Sequence, residues 1–398
     1  MCKKSQLRNY DQEANTSKHS TIEEFGPESN REGTKKKITR KMEDEDVLNI
    51  ANPIVYNESI AHYEIHAHLP YASATFNNSD EIRIAVQNQD HCVLPSKSCL
   101  HIQGKLVKEN GLPVIHTRFV NNAICHLFEE ARYELNAIEI DKTKNVGLTT
   151  LMENYVSVYG VQSKFLENAG WFSTCNANTV LVNNLGNFDI SIPFNILFGF
   201  AEDYQKIIVN ARHELILTRA RIDVNAILQT GEEQIRAANH VGTVKTSTQL
   251  EKPRFIILGF QTNRKNVNNR NASHFDHCQI TNVKLFLNNQ SYPYGNLNLD
   301  FDKRHYAIPY DIYTNFQASY YNKEQQPYLS KNEFLEYAPL IVIDCSRQNE
   351  SIKYGPVDIR LEFEAKENLP DQTAAYCLIL HDRIVEYRPI SGEVKEIV

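Results

Sequence analysis

Val357-Asp358-Ile359-Arg360-Leu361-Glu362-Phe363-Glu364 alternates apolar and charged side chains over eight consecutive positions. Successive side chains of a β-strand point to opposite faces, so the pattern predicts a strand with its four apolar members on a core and its four charges in water. Downstream, Tyr376 to Tyr387 and Gly392 to Val398 flank Arg388-Pro389-Ile390-Ser391, a hairpin with turn chemistry at its tip. Upstream, Phe255 to Phe260, Asn282 to Leu287 and the fully apolar Leu340 to Ile343 read as further strands. Ile312, Tyr313, Phe316 and Tyr320 have helical spacing, and Ser330-Lys331-Asn332-Glu333 is a capping-box pattern that satisfies free amides at a helix start.

The first half has the same organisation. Glu81 to Gln87 alternates, Leu100 to Gln103 and Leu106-Val107 lead into the turn-like Lys108-Glu109-Asn110-Gly111, and Phe188 to Ile192 returns to period two before Pro193. Lys206 to Arg219 reads as two strand pieces. Leu148, Leu151, Met152, Tyr155 and Val156 share one face of a short helix. Residues 231 to 252 are polar and aperiodic and read as a linker. No βαβ series is present, so the fold class is mainly β: two tandem antiparallel sandwiches of jelly-roll type with short connecting helices.

Composition agrees. Across 398 residues, 20 Tyr and 18 Phe against one Trp and three Met favour strands. A 41% hydrophobic and 23% charged make-up excludes a disordered chain, a collagen and a coiled-coil rod. No apolar run is long enough to span a membrane, and the opening residues lack the apolar stretch of a secretory signal. The eight cysteines do not cluster at ligand spacings and are expected to be reduced, mostly buried thiols.

Residues 1 to 46 carry ten Lys+Arg and ten Asp+Glu with few aliphatic residues, which predicts a disordered mixed-charge arm over 1–50. A first jelly roll is expected over 51–240 and a second over 241–398. Lys35, Lys36, Lys37, Arg40 and Lys41 form a basic block suited to nuclear import or a nucleic-acid contact, against the blander reading of a solvated charge run. The arm is neutral, so the folded body carries the whole net charge of −7 and is no obvious nucleic-acid binder.

Several residue clusters could carry chemistry. His62, Glu64, His66 and His68 would share one face of a strand, which makes a zinc or iron site geometrically conceivable. Collinear strand residues rarely supply a complete ligand set alone, so a polar strand face is the favoured reading and no metal is assigned. His274, Asp276 and Cys278 would likewise share a strand face, without the helix N-terminus or elbow that activates a thiol; a structural role is favoured. Cys92 and Cys99 make no zinc knuckle, His213-Glu214 lacks the second histidine of HExxH, and Asp300 and Asp302 are isolated turn residues. No catalytic residue and no cofactor is expected, and the chain is read as a non-enzyme.

Several stretches carry a resemblance. They are Gly259 to Asn266, Phe275 to Cys278, Asn288 to Tyr294, Ala338 to Ser346 and Ala375 to Arg383, with Phe128 to Asn136, Ile192-Pro193-Phe194, Leu197 to Phe200 and His213 to Leu217 in the first half. Over about residues 52 to 398 the chain resembles uncharacterised proteins that recur in arthropod genomes. Those look like relics of Maverick or Polinton-type elements and related DNA viruses, whose major capsid protein is a double jelly roll. Capsid proteins of these elements are usually longer; this chain has room for two nearly bare sandwiches.

The resemblance implies a structural protein forming homotrimers that tile an icosahedral shell, located in the virion and in the host nucleus or cytoplasm during assembly. Minor capsid proteins are implied partners, with nucleic acid reached only through the arm. Two rival readings stay open. One is a host-domesticated β-sandwich that binds a protein or glycan; the other is a jelly-roll enzyme using the His62, His66 and His68 face.

Overall fold

The computed structural model describes residues 4–9, 65–71, 76–86, 92–107, 117–172, 186–229, 253–287, 290–346 and 359–397. The first half is built on an antiparallel sheet of β2 (Glu81–Val86), β8 (His213–Arg219), β5 (Phe128–Leu135) and β6 (Ile138–Lys144), in that order. Two antiparallel pairs complete it: β3 (Cys99–Lys105) with β7 (Asn187–Pro193), and β4 (Thr117–Phe119) with β9 (Ile227–Gln229). The alternating apolar residues of 81–87 and 188–192 fall in strands, as their period requires. The Lys206 to Arg219 stretch forms one strand, with only an isolated bridge from Ile208 to Val93 where a second piece was expected.

β5 and β6 are joined by Asn136 and Ala137, both with positive φ, which gives the tight turn whose twist matches antiparallel strands. An Asn-Ala pair is a weaker signal for this turn than Asn-Gly.

Helix α1 (Val146–Ser157) follows, then α2 (Gly160–Leu166), α3 (Phe194–Leu197) and α4 (Gly199–Asp203). The apolar stripe of α1 packs inward as expected, but Thr149, Thr150 and Asn154 are buried too, so this helix is enclosed on more than one face. Asp141 on β6 is fully buried, and its carboxylate accepts the Phe200 amide at 2.9 Å, satisfying a free donor in the first turn of α4.

In the second half, β10 (Pro253–Thr262) lies between β13 (Ile341–Asp344) and the long β15 (Thr373–Arg388), which turns into β16 (Glu393–Ile397). A second sheet has β11 (Ile280–Leu287) between β12 (Gln290–Tyr292) and β14 (Ile359–Ala365). The decisive alternating stretch is therefore a strand from Ile359 onward. Among the described residues it pairs on one side only, and its charged members follow the rule that exposed sheet edges carry charge against further pairing. Phe363 meets Phe260 edge to face, ring centres 5.2 Å apart, joining the two sheets.

Helix α5 (Ala307–Tyr321) rests on β13, with Phe316 and Tyr320 against Phe255, and α6 (Lys331–Tyr337) starts at the expected Ser330–Glu333 capping box. Most buried apolar side chains of both halves form one continuous cluster running from Ile82 to Val394, and Val120, Ala123, Ala226 and Leu228 form a small separate one.

Of the expected arm, only Lys4–Asn9 is described; it forms β1, which runs parallel to β15 at residues 382–387. Lys35, Lys36, Lys37, Arg40, Lys41, the linker at 231–252 and the His62–Glu64 end of the histidine stretch lie outside the described residues.

Candidate functional site

The most elaborate arrangement in the molecule is the seam between its halves. At its centre Tyr155 of α1 projects from the first half, and its hydroxyl donates to the Ser273 carbonyl at 2.8 Å. Around it stand Trp171 (5.2 Å between ring centres), Tyr328 (6.1 Å) and Phe275 (6.3 Å), with Trp171 and Tyr328 5.4 Å apart. The Tyr328 hydroxyl donates to the Phe172 carbonyl, and Gln317 Nε2 donates to the carbonyls of Ser157 and Val158. Aromatic rings bury large areas while their hydroxyls still find partners, which suits a contact that is both apolar and directional.

A second contact involves the β15–β16 hairpin. Tyr387 accepts the Val209 amide at 3.0 Å and donates to the Val209 carbonyl. Asn136 Nδ2 donates to the Gly392 carbonyl at 2.5 Å while its Oδ1 accepts the Arg212 amide at 2.7 Å; Asn210 Nδ2 donates to the Pro389 carbonyl at 3.0 Å. A third joins Asn225 to Asn266 and Gln229 to Asn268 by side-chain amides. Apart from the bond between Asn136 and Arg212, each of these hydrogen bonds joins a residue before 231 to one after 252, so the halves are held as one body.

Inside the first half, the Tyr133 hydroxyl meets His213 Nδ1 at 2.5 Å beneath Phe194, Phe198 and Phe200. Burial lowers the His213 imidazole to about 4 and that of His126 likewise to about 4, so both are neutral at physiological pH. The neighbouring Glu214 is nearly enclosed. Burial alone would raise its pKa, but hydrogen bonds from Tyr71 and Arg83 and the charge of Arg212 outweigh that and hold it below the ordinary value. His213-Glu214 is thus an imidazole in the core beside an ion-paired carboxylate, not half of a metal motif.

The structure corrects the strand reading of 274–278. Residues 274–277 are irregular, with only an isolated bridge from Asp276 to Phe260, and Cys278 and Gln279 form a turn in which both have positive φ. His274 lies against Tyr337, Asp276 takes a two-pronged contact from Arg264 at 2.6 and 3.0 Å and accepts the Thr262 amide at 2.8 Å, and Cys278 contacts the Thr262 hydroxyl, so Asp276 and Cys278 are neighbours around Thr262. Burial raises the Cys278 pKa, the opposite of what activates a thiol.

His66 is exposed and His68 half-buried in an extended segment that is not a strand. Asp300 pairs with Lys303 and Asp302 with Lys366. Among the described residues, no group of three or more His, Cys, Asp or Glu is placed to hold a metal ion. The six described cysteines are free, and only Cys125 and Cys345 are buried, fewer than expected.

The outer surface carries isolated apolar side chains: Val161 and Phe165 one turn apart on α2, Tyr294 after the β12 strand, and Ile390 at the hairpin tip. The seam went unseen in the sequence because its partners are separated by 39 to 256 residues; the sole available signal was the density of Tyr, Phe and Asn.

A family model described as the double jelly roll-like domain matches residues 117–238 and 232–385. No curated protein matches the chain. Among solved structures, a quasi-atomic model of the PBCV-1 virus capsid is similar at 11% identity and a TM-score of 0.41, covering 85% of this chain and 98% of that one. PBCV-1 VP54, fitted into a reconstruction of the virophage Sputnik, is similar at 9% identity and a TM-score of 0.44, over 85% and 98%. The Faustovirus major capsid protein is similar at 9% identity and a TM-score of 0.37, over 79% and 83%.

Proposed function

The chain belongs to the double jelly roll-like domain family, and from that premise we propose that it is a major capsid protein subunit whose trimers, pseudo-hexagonal in outline, tile an icosahedral shell. The observation that carries the proposal is the family model's match to two successive segments whose halves are locked together by the Tyr155 seam and the β15–β16 hairpin. Two sandwiches held as one body present six sandwiches about a threefold axis, and such a trimer packs as a hexagon does. A tile of this kind needs rigidity within the subunit more than it needs a reactive cleft.

In this reading the lineage is that of Maverick or Polinton-type elements and related DNA viruses, as the sequence resemblance suggests. The first jelly roll occupies 51–240 and the second 241–398. The arm, with Lys35, Lys36, Lys37, Arg40 and Lys41, faces minor capsid proteins or the genome. The protein acts in the virion capsid, after assembly in the host nucleus or cytoplasm.

Light scattering on a sizing column, followed by electron microscopy of the peak, tests this. Three copies per particle with a hexagonal outline are expected at micromolar concentration. A monodisperse monomer overturns the proposal and favours the host-domesticated binding module instead.

A further inference from the structure

We propose that Lys4–Asn9 pairs with β15 of a neighbouring copy when copies assemble, so that each subunit lends β1 to the next. The inference rests on the trimer proposed above. Among the described strands, β1 on β15 is the sole parallel pairing, every other being antiparallel. Residues 10–64 separate β1 from Ile65, the next residue described. A chain of about 55 residues spans at most about 180 Å when extended, against a radius of gyration of about 20 Å for a compact protein of this length. The connection therefore does not dictate which copy supplies the strand.

The slot that receives β1 is built by the folded body. Residues 384–387 of β15 pair with β16 on one side and with β1 on the other, and α4 and β6 of the first half also lie against β1. In the register Lys4 stands opposite Asp382 and Arg8 opposite Glu386, basic residues at the positions of acidic ones. Leu7 is the one apolar residue of β1, so main-chain pairing supplies most of what holds it. That pairing is identical whichever copy provides the segment, and the entropy of the connection changes only slowly with its length. Chain order favours the exchange. β1 precedes the first half in sequence yet docks on a strand of the second. About a threefold axis the two kinds of half alternate, so each first half stands between its own second half and a neighbour's. Within one copy the halves are already joined through Tyr155, Tyr387 and Asn136. Between copies the same pairing opposes dissociation, once per subunit.

Co-expression of two full-length chains, one with Arg8→Cys and one with Glu386→Cys, tests this. Paired strand positions lie at a Cα spacing that a disulfide can bridge. The purified assembly is oxidised and run on a non-reducing gel, with light scattering to count copies per particle. Neither chain carries both new thiols, so a product of twice the chain mass, absent from the unaltered protein and from either variant alone, requires exchange. About half of the Arg8→Cys chains are expected in that product, because half of the neighbours carry the matching thiol. Gln6→Cys with Ile384→Cys, another pair in the same register, takes over if either chain fails to fold. Trimers that give no such product, while both substitutions in one chain close an internal disulfide, overturn the inference and leave the shell-building reading standing. No disulfide in either arrangement overturns the pairing itself. A monomer overturns both the inference and the reading beneath it.

Discussion

The hydroxyl of Tyr155 donates to the carbonyl of Ser273 across 118 residues of sequence, at 2.8 Å and out of contact with water. Tyr155 lies on a helix enclosed by the first half, and Ser273 on a turn of the second. One hydrogen bond of this kind is worth little net, but leaving the carbonyl unpaired in a dry aromatic setting is costly, so the contact specifies how the halves meet.

Tyr155→Phe removes the donor and leaves the ring. We expect a loss of about 1–2 kcal/mol in unfolding free energy, read from urea denaturation. Both halves should still unfold in one transition, since the apolar cluster that joins them is untouched. A loss below the error of the fit would mean that the carbonyl finds another donor.

Acid should weaken the protein through His126 and His213. Each is held near 4 in the folded chain against 6.5 when exposed, so the unfolded chain takes up a proton first. Stability is then level above about pH 6.5, falls as pH drops toward 4, and levels again below it, by up to about 3 kcal/mol for each imidazole. Urea denaturation at pH 7 and pH 4.5 measures this, and His213→Gln should flatten part of the slope. A stability that rises on acidification over this range contradicts the assignment.

Gly147→Ala and Gly160→Ala should differ sharply. A methyl at Gly147 would sit 2.3 Å from His126 Nδ1 and 2.7 Å from the His126 Cα, whereas one at Gly160 meets nothing within 4 Å. We expect the first to cost about 1–3 kcal/mol by overpacking and the second to be neutral or slightly stabilising, as compared by thermal melts.

Asn136 has a φ of 50° and also bonds to Arg212 and Gly392. Asn136→Gly keeps the conformation and loses the bonds; Asn136→Ala loses both. Alanine should therefore be the worse replacement by about 1 kcal/mol, and equal melting temperatures would show that the turn carries no strain.

Much of the fold was legible locally. The alternation up to Glu364, the stripe on α1 and the Ser330–Glu333 box each became the element their spacing demands, because each pattern acts within one element. His274, Asp276 and Cys278 were misread for the complementary reason. Alternation assigns faces only if the chain stays extended, and positive φ at Cys278 and Gln279 ends the extension. The sequence dismissed His213 as a metal ligand for want of a second histidine, but that it is a core imidazole could not be read there, because its partner Tyr133 comes from another element. The turn at Asn136-Ala137 carried too weak a local preference to stand out.

Sequence alone determined that this chain is made of short antiparallel strands in two successive sets, since strand period and turn chemistry depend on neighbours a few positions away. Only the tertiary structure decided that the two sets share one apolar core, that two histidines lie neutral within the first half, and that Tyr155, Tyr387 and Asn136 bind the halves together. Those outcomes depend on which distant side chains exclude water from one another, and no local pattern encodes that.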